Sequence, residues 1–125
     1  MHPGAACISC HSKGDGPRLL FAGTVYPTAH EPDDCKGAAL PNSPAITTAL
    51  VTIADATGKI TTLQVNSAGN FLLNAPKTAF AYPFTAKVDY AGKSREMQHP
   101  QTNGDCNTCH SLAGTSDAPG RIMLP

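Results

Sequence analysis

Tryptophan is absent from the 125 residues, and aromatic side chains make up only 6% of them. Surfaces that bind sugar rings rely on aromatic faces, so a carbohydrate-binding or adhesive module is a weak reading. Charge is scarce too: 14% of residues are charged, and 9 Lys and Arg balance 9 Asp and Glu. A nucleic-acid binder needs a basic surplus, and a polybasic membrane-surface module needs one as well; both are excluded. No apolar run is long enough for a transmembrane helix. Met1 to Cys7 has neither the basic region nor the apolar stretch of a secretory leader. No apolar stripe repeats every 3.6 residues over a useful length. What the chain has instead is turn chemistry, with 11 Gly and 11 Pro, and 41% apolar residues. That composition suits one loop-rich, all-β domain with a modest core. With zero net charge, little repulsion opposes self-association.

The cysteines carry the strongest signal. Four of the five fall in two copies of one pattern, Cys7-Ile8-Ser9-Cys10-His11 and Cys106-Asn107-Thr108-Cys109-His110. C-x-x-C-H is the attachment sequence of c-type haem. With 5 Cys and 5 His in the chain, one chance match is expected about 0.008 times. Each sulfur can add to one haem vinyl group, and two intervening residues let the backbone turn so that both sulfurs reach one porphyrin edge. The following His then faces the iron as proximal ligand. A core this small cannot enclose two haems by burial, and the covalent tether replaces the missing pocket contacts. The expected cofactors are two covalently attached c-type haems, held by Cys7 and Cys10, and by Cys106 and Cys109, with His11 and His110 on the metal.

Other uses of paired cysteines fit less well. Zinc ribbons place their pairs about 15–20 residues apart, whereas these pairs stand at opposite ends of the chain. A thioredoxin-like site needs a βαβ context that is missing. A disulfide framework leaves one Cys over and gives no reason for the two His. Haem attachment of this type is completed outside the cytoplasmic membrane, so the protein is expected to be periplasmic or extracellular, its leader removed.

The chain reads as a single domain, 1–125, in three stretches. Residues 1–18 form a first haem segment, 19–98 a β-sandwich, and 99–125 a second haem segment. Phe84, Ala86, Val88 and Tyr90 alternate with Thr85, Lys87 and Asp89, as in a half-buried strand. Leu19 to Tyr26, Thr47 to Ala54, Ile60 to Val65, Asn70 to Leu73 and Ser94 to Met97 complete a set of six. Asp55-Ala56-Thr57-Gly58, Asn66-Ser67-Ala68-Gly69 and Tyr90-Ala91-Gly92-Lys93 are the turns. Six antiparallel strands return the chain to the end where it began, so the two haem segments are expected to meet; seven would place them at opposite poles. The fold class is all-β, a small antiparallel β-sandwich flanked by two irregular haem-binding terminal segments. Pro27 to Ile46 is the longest irregular stretch, and loops of that length are often functional.

Ala22-Gly23-Thr24-Val25-Tyr26, the Gly58 turn and Gly69-Asn70-Phe71 resemble a carboxypeptidase-regulatory-like (transthyretin-like) β-sandwich. Gly104 to His110, followed by Ala118-Pro119-Gly120-Arg121-Ile122, is similar to bacterial extracellular cytochromes that carry such a domain. The resemblance covers nearly the whole chain. It implies extracellular electron transfer through small multihaem subunits that polymerise into conductive filaments.

Each iron needs a sixth ligand. His30 and His99 rank first, and His2 third, or first where a tail reaches a neighbour's haem. Met97, Met123 and Met1 are weaker, since Met97 and Met123 read as packing residues. Cys35 is a buried thiol or an intermolecular disulfide. Glu31, Asp33 and Asp34 read as a solvated acidic loop rather than a Ca²⁺ site. Arg121 is a candidate partner for a haem propionate. The leading function is an electron carrier whose partners are other redox proteins, extracellular acceptors or further copies of itself. The alternatives are a haem enzyme, a peroxidase or small-molecule reductase with one open iron site, and an adhesive sandwich with accessory haems.

Overall fold

In the computed structural model, which describes residues 2–14, 16–33, 45–77 and 79–125, the alternating segments form strands. They are β1 (Leu19–Tyr26), β2 (Leu50–Ala54), β3 (Ile60–Gln64), β4 (Asn70–Asn74), β5 (Thr85–Tyr90) and β6 (Lys93–Glu96). The segment from Thr47 becomes a strand only at Leu50, because Ile46–Thr48 first close a single 3-10 turn. Turn side chains do the work their types suggest. Asp55 Oδ1 accepts the N–H groups of Thr57 at 2.9 Å and Lys59 at 3.0 Å, and Asn66 Oδ1 accepts those of Ala68 and Asn70, each at 3.0 Å.

Two features depart from the sequence reading. A seventh strand, β7 (Ile122–Met123), pairs with β1 in parallel, so the sheets are not purely antiparallel and the C-terminal segment joins one of them. The terminal segments are not wholly irregular either, because each motif winds into one helical turn, α1 (Cys7–His11) and α2 (Cys106–Cys109). Helices this short have no stability of their own and are held by what they pack against.

The strands make a three-stranded sheet in the order β4-β1-β7 and a four-stranded sheet in the order β3-β2-β5-β6. Both face one core: Phe21, Val25 and Phe71 from the first sheet meet Val51, Ile53, Leu63, Val88 and Tyr90 from the second, with Phe84 beside them. β1 is buried on both sides. A bulge between Leu19 and Phe21 turns Leu19 to the side of Ala22, where both pack with Cys7 of α1, while Phe21 and Val25 face the main core.

The free edge of β1 is then covered by the second motif. Ala22 N–H donates to Gly104 O at 3.0 Å, and Thr24 N–H donates to the side chain of Asn107 at 3.0 Å. Val25 and Tyr26 pair with β7. The C-terminal segment is stitched along one strand in register, which satisfies backbone groups that would otherwise be buried unpaired. Among the described residues, no helix is long and apolar enough to cross a membrane.

Candidate functional site

Six strands separate the two motifs, and the two turns lie side by side on β1. Ser9 N–H of α1 donates to Asp105 Oδ2 at 2.9 Å, and Asn107 Nδ2 of α2 donates to Ala5 O at 2.9 Å. The helical turn explains the motif spacing. Residues i, i+3 and i+4 share one helix face, so Cys7, Cys10 and His11 project together, and Cys106 and Cys109 do the same. None of these four cysteines is joined to another by a disulfide. Among the described residues, no group of three or more His, Cys, Asp and Glu converges on a metal-sized point, so the two cysteine pairs do not gather around one ion.

The histidines share a distinctive arrangement. His11 Nδ1–H donates to Pro17 O at 3.3 Å, His110 Nδ1–H to Gly120 O at 3.0 Å, and His30 Nδ1–H to Leu112 O at 3.1 Å. A backbone carbonyl on Nδ1 fixes the tautomer and leaves Nε2 as the lone-pair nitrogen, the arrangement that orients imidazole ligands toward a metal. Two glycines leave room for these rings. A Cβ at Gly16 would lie 2.5 Å from His11 Nδ1. Gly120, at φ 143°, would bring a Cβ within 2.6 Å of Ala29 O and 3.4 Å of the His30 ring. Gly120 therefore abuts both His110, through its carbonyl, and His30.

A cavity of about 600 Å³ opens beside the second motif, within the size range of cofactor pockets. Cys106, Cys109 and His110 line it together with His30 and His99, and Phe84, Val88, Met97 and Ile122 supply apolar wall. His99 reaches the rim because the chain beyond β6 is pinned back: Phe84 and Gln101 exchange backbone hydrogen bonds of 2.9 and 2.8 Å. The fold thus brings His30, from the loop after β1, to the cavity that His99 and His110 of the C-terminal stretch also line. His2 is exposed and stays on the segment that leads into the first motif, its carbonyl accepting Ala5 N–H at 3.3 Å. Met97 and Met123 also line the cavity.

Arg121 has other partners than the sequence suggests. Its guanidinium is buried, pairs with Asp33, donates through Nε to Glu31 O at 3.0 Å and lies 4.9 Å from the centre of the Tyr26 ring. These contacts, with Arg121 N–H donating to Ala29 O at 2.8 Å, fasten the loop that bears His30. The cation at the cavity that sequence reasoning missed is Arg95, which the pairing of β5 with β6 sets opposite Val88 on the core side of the sheet; Lys87, on the other face, pairs with Asp89 at 3.1 Å. Asp105 and Asn107 were missed as well. Asp33 is engaged by Arg121, while Cys35 and Asp34 lie outside the described residues.

The thiol electrostatics follow from this packing. Burial, reinforced by the Asp105 carboxylate, pushes the Cys7 thiol up, and the same causes push Cys106 from 9.0 up to about 12. A thiol whose folded value is raised favours the folded state fully below the unfolded value, and that contribution is lost as pH rises toward the folded one. The chain with free thiols is therefore expected to lose stability as pH rises above 9, through Cys106 above all. A Cys106→Ala chain should lack that component, and so should the mature protein if the sulfur is a thioether with no proton to lose. Urea unfolding at pH 8 and pH 10.5 for the three forms checks this; equal slopes in all three would refute it.

No family model, curated protein or solved structure matches this chain.

Proposed function

We propose that the protein is a dihaem c-type cytochrome that carries electrons outside the cytoplasmic membrane, as a subunit of an extracellular electron-transfer assembly or filament. The observation that carries this reading is the pair of C-x-x-C-H turns whose proximal imidazoles, His11 and His110, are both held through Nδ1 on a backbone carbonyl. The residues present fit the group. Cys7 and Cys10 would hold one haem and Cys106 and Cys109 the other, each through two thioethers. Haem supplies a one-electron couple when bound.

The chain's own residues do the rest. His110 and His30 present Nε2 because each Nδ1–H is engaged. His99 is the other imidazole at the same cavity. Phe84, Val88 and Ile122 exclude water from the cavity wall. Arg95 and Arg121, the latter paired with Asp33, line the cavity and are the cations that would face haem propionates there. His2, exposed near the start of the chain, is the imidazole assigned to the first motif, in its own chain or in a neighbour's. The resemblance to extracellular cytochromes and the lack of net charge support an assembly of copies.

The distribution of histidines favours one second reading. With His30 and His99 both at the second motif, the first motif depends on His2, and failure of His2 to bind would leave an open iron site suited to a peroxidase or small-molecule reductase.

Electron paramagnetic resonance of the oxidised protein is expected to show two low-spin, six-coordinate centres. His30→Ala should disturb one of them and leave the sheets folded, because His30 is exposed on a loop and contributes nothing to the core. His2→Ala should disturb the other. A high-spin resting centre with tight cyanide binding would favour the enzyme, and an unchanged spectrum in the His30 variant would pass the ligand role to His99.

A further inference from the structure

Asp105 and Asn107 are polar residues of the second motif segment, yet they are 4% and 3% exposed. Their partners lie almost entirely outside that segment. Asn107 Oδ1 accepts Thr24 N–H at 3.0 Å, and its Nδ2 donates to Thr24 Oγ1 at 3.1 Å and to Ala5 O at 2.9 Å, with Cys7 Sγ 3.7 Å away. Thr24 Oγ1 donates to Asn70 Oδ1 at 2.7 Å and accepts Gly4 N–H at 3.0 Å. Asp105 Oδ2 takes Ser9 N–H at 2.9 Å, while Oδ1 is buried without a hydrogen-bond partner.

The first motif is thereby held at two points by side chains of the second, at Ala5 just before α1 and at Ser9 in its middle. Apolar packing of Cys7 against Leu19 and Ala22 presses α1 onto the sheet, but such contacts are non-directional and do not fix an angle. Directional bonds in a buried, low-dielectric network do fix one. A clamp made only to tie down the N-terminus would have no reason to come from the residues on either side of Cys106. Because it does, one residue, Asn107, neighbours the second sulfur in sequence and touches the first.

We propose that Asp105 and Asn107 are positioning residues that lock the two attachment turns, and with them the two haems, in one relative orientation that governs electron exchange between them. This rests on the dihaem reading. In the exchange one electron passes, one centre is oxidised as the other is reduced, and no bond is made or broken.

The test reads orientation directly, as the bisignate circular-dichroism couplet that two fixed haems produce in the Soret band. The mature protein, with two haems by intact mass, is expected to show the couplet. Asn107→Ala and Asp105→Ala, each still carrying two haems and keeping the far-ultraviolet signal of the sheets, are expected to lose most of it. Asp105→Asn keeps an oxygen for Ser9 N–H and is expected to retain it. Should Asn107→Ala fail to accumulate, Asn107→Asp keeps the acceptor for Thr24 N–H, removes the donor to Ala5 O, and is expected to lose the couplet. A couplet unchanged in the alanine variants, or missing from a wild type that carries two haems, overturns the proposal. A mass without haem instead overturns the dihaem reading beneath it.

Discussion

Intact mass of the mature protein is expected to exceed the polypeptide by two haems that survive denaturation, and Cys→Ala at either motif should remove one. The atoms would balance without an external oxidant: each thiol would add across a haem vinyl group, with one S–C bond formed, the S–H and vinyl π bonds broken, and the hydrogen taken by the other vinyl carbon. The local geometry suits that addition. On a single helical turn Cys7 and Cys10 stand one turn apart on one face, with His11 on the same face, and α2 repeats the arrangement for Cys106 and Cys109. Loss of both cysteines of a motif should abolish attachment at that motif and leave the other loaded, because each turn carries its own pair of sulfurs and its own proximal imidazole. Extraction of the haem by acid and organic solvent, or zinc as the metal recovered, would refute this.

Phe21→Ala is expected to be the most damaging core substitution. Phe21 is fully buried at the middle of β1, with ring centroids 4.6 Å from Phe84 and 5.0 Å from Phe80, both edge-to-face. Truncation removes that ring and leaves a cavity between the two sheets, a change that costs about 3–5 kcal/mol. Stabilities of single domains are about 5–15 kcal/mol, so the urea midpoint should fall by about 2 M with little change in slope. The effect should reach the candidate site, because β1 carries α1 on its other face and the second motif along its edge. A midpoint equal to that of the unsubstituted chain would show that the core is not centred on this strand.

The features that were legible in the sequence depend on near neighbours. C-x-x-C-H is legible because its two thiols and its imidazole fall within about one turn of backbone. The strand from Leu19 to Tyr26 and the alternation up to Tyr90 are legible because strand periodicity is local. The turns at Asp55 and Asn66 are legible because a short acceptor side chain reaches N–H groups two and four residues on. Even the meeting of the two motifs followed from the parity of six strands.

What only the tertiary structure decided are pairings between distant residues that carry no local pattern. Ile122 and Met123 become a strand solely because β1 offers them an edge, and nothing in two apolar letters announces it. Arg121 stands near the second motif in sequence, yet it is committed to Asp33 and Tyr26, because packing β7 on β1 brings its side chain to that loop. Asn107 occupies an unconstrained position inside C-x-x-C-H, so its letter is silent. Its burial against Thr24, and its reach to Ala5, exist only once the C-terminal segment lies along β1. His30 and His99 looked equivalent as spare imidazoles; the folding of two loops onto one cavity is what placed both beside His110. Residue type and short spacing determine what chemistry a segment can perform. Which segments perform it together depends on the packing of β1, where one strand presents a core on one face, a motif on the other and an edge to the second motif.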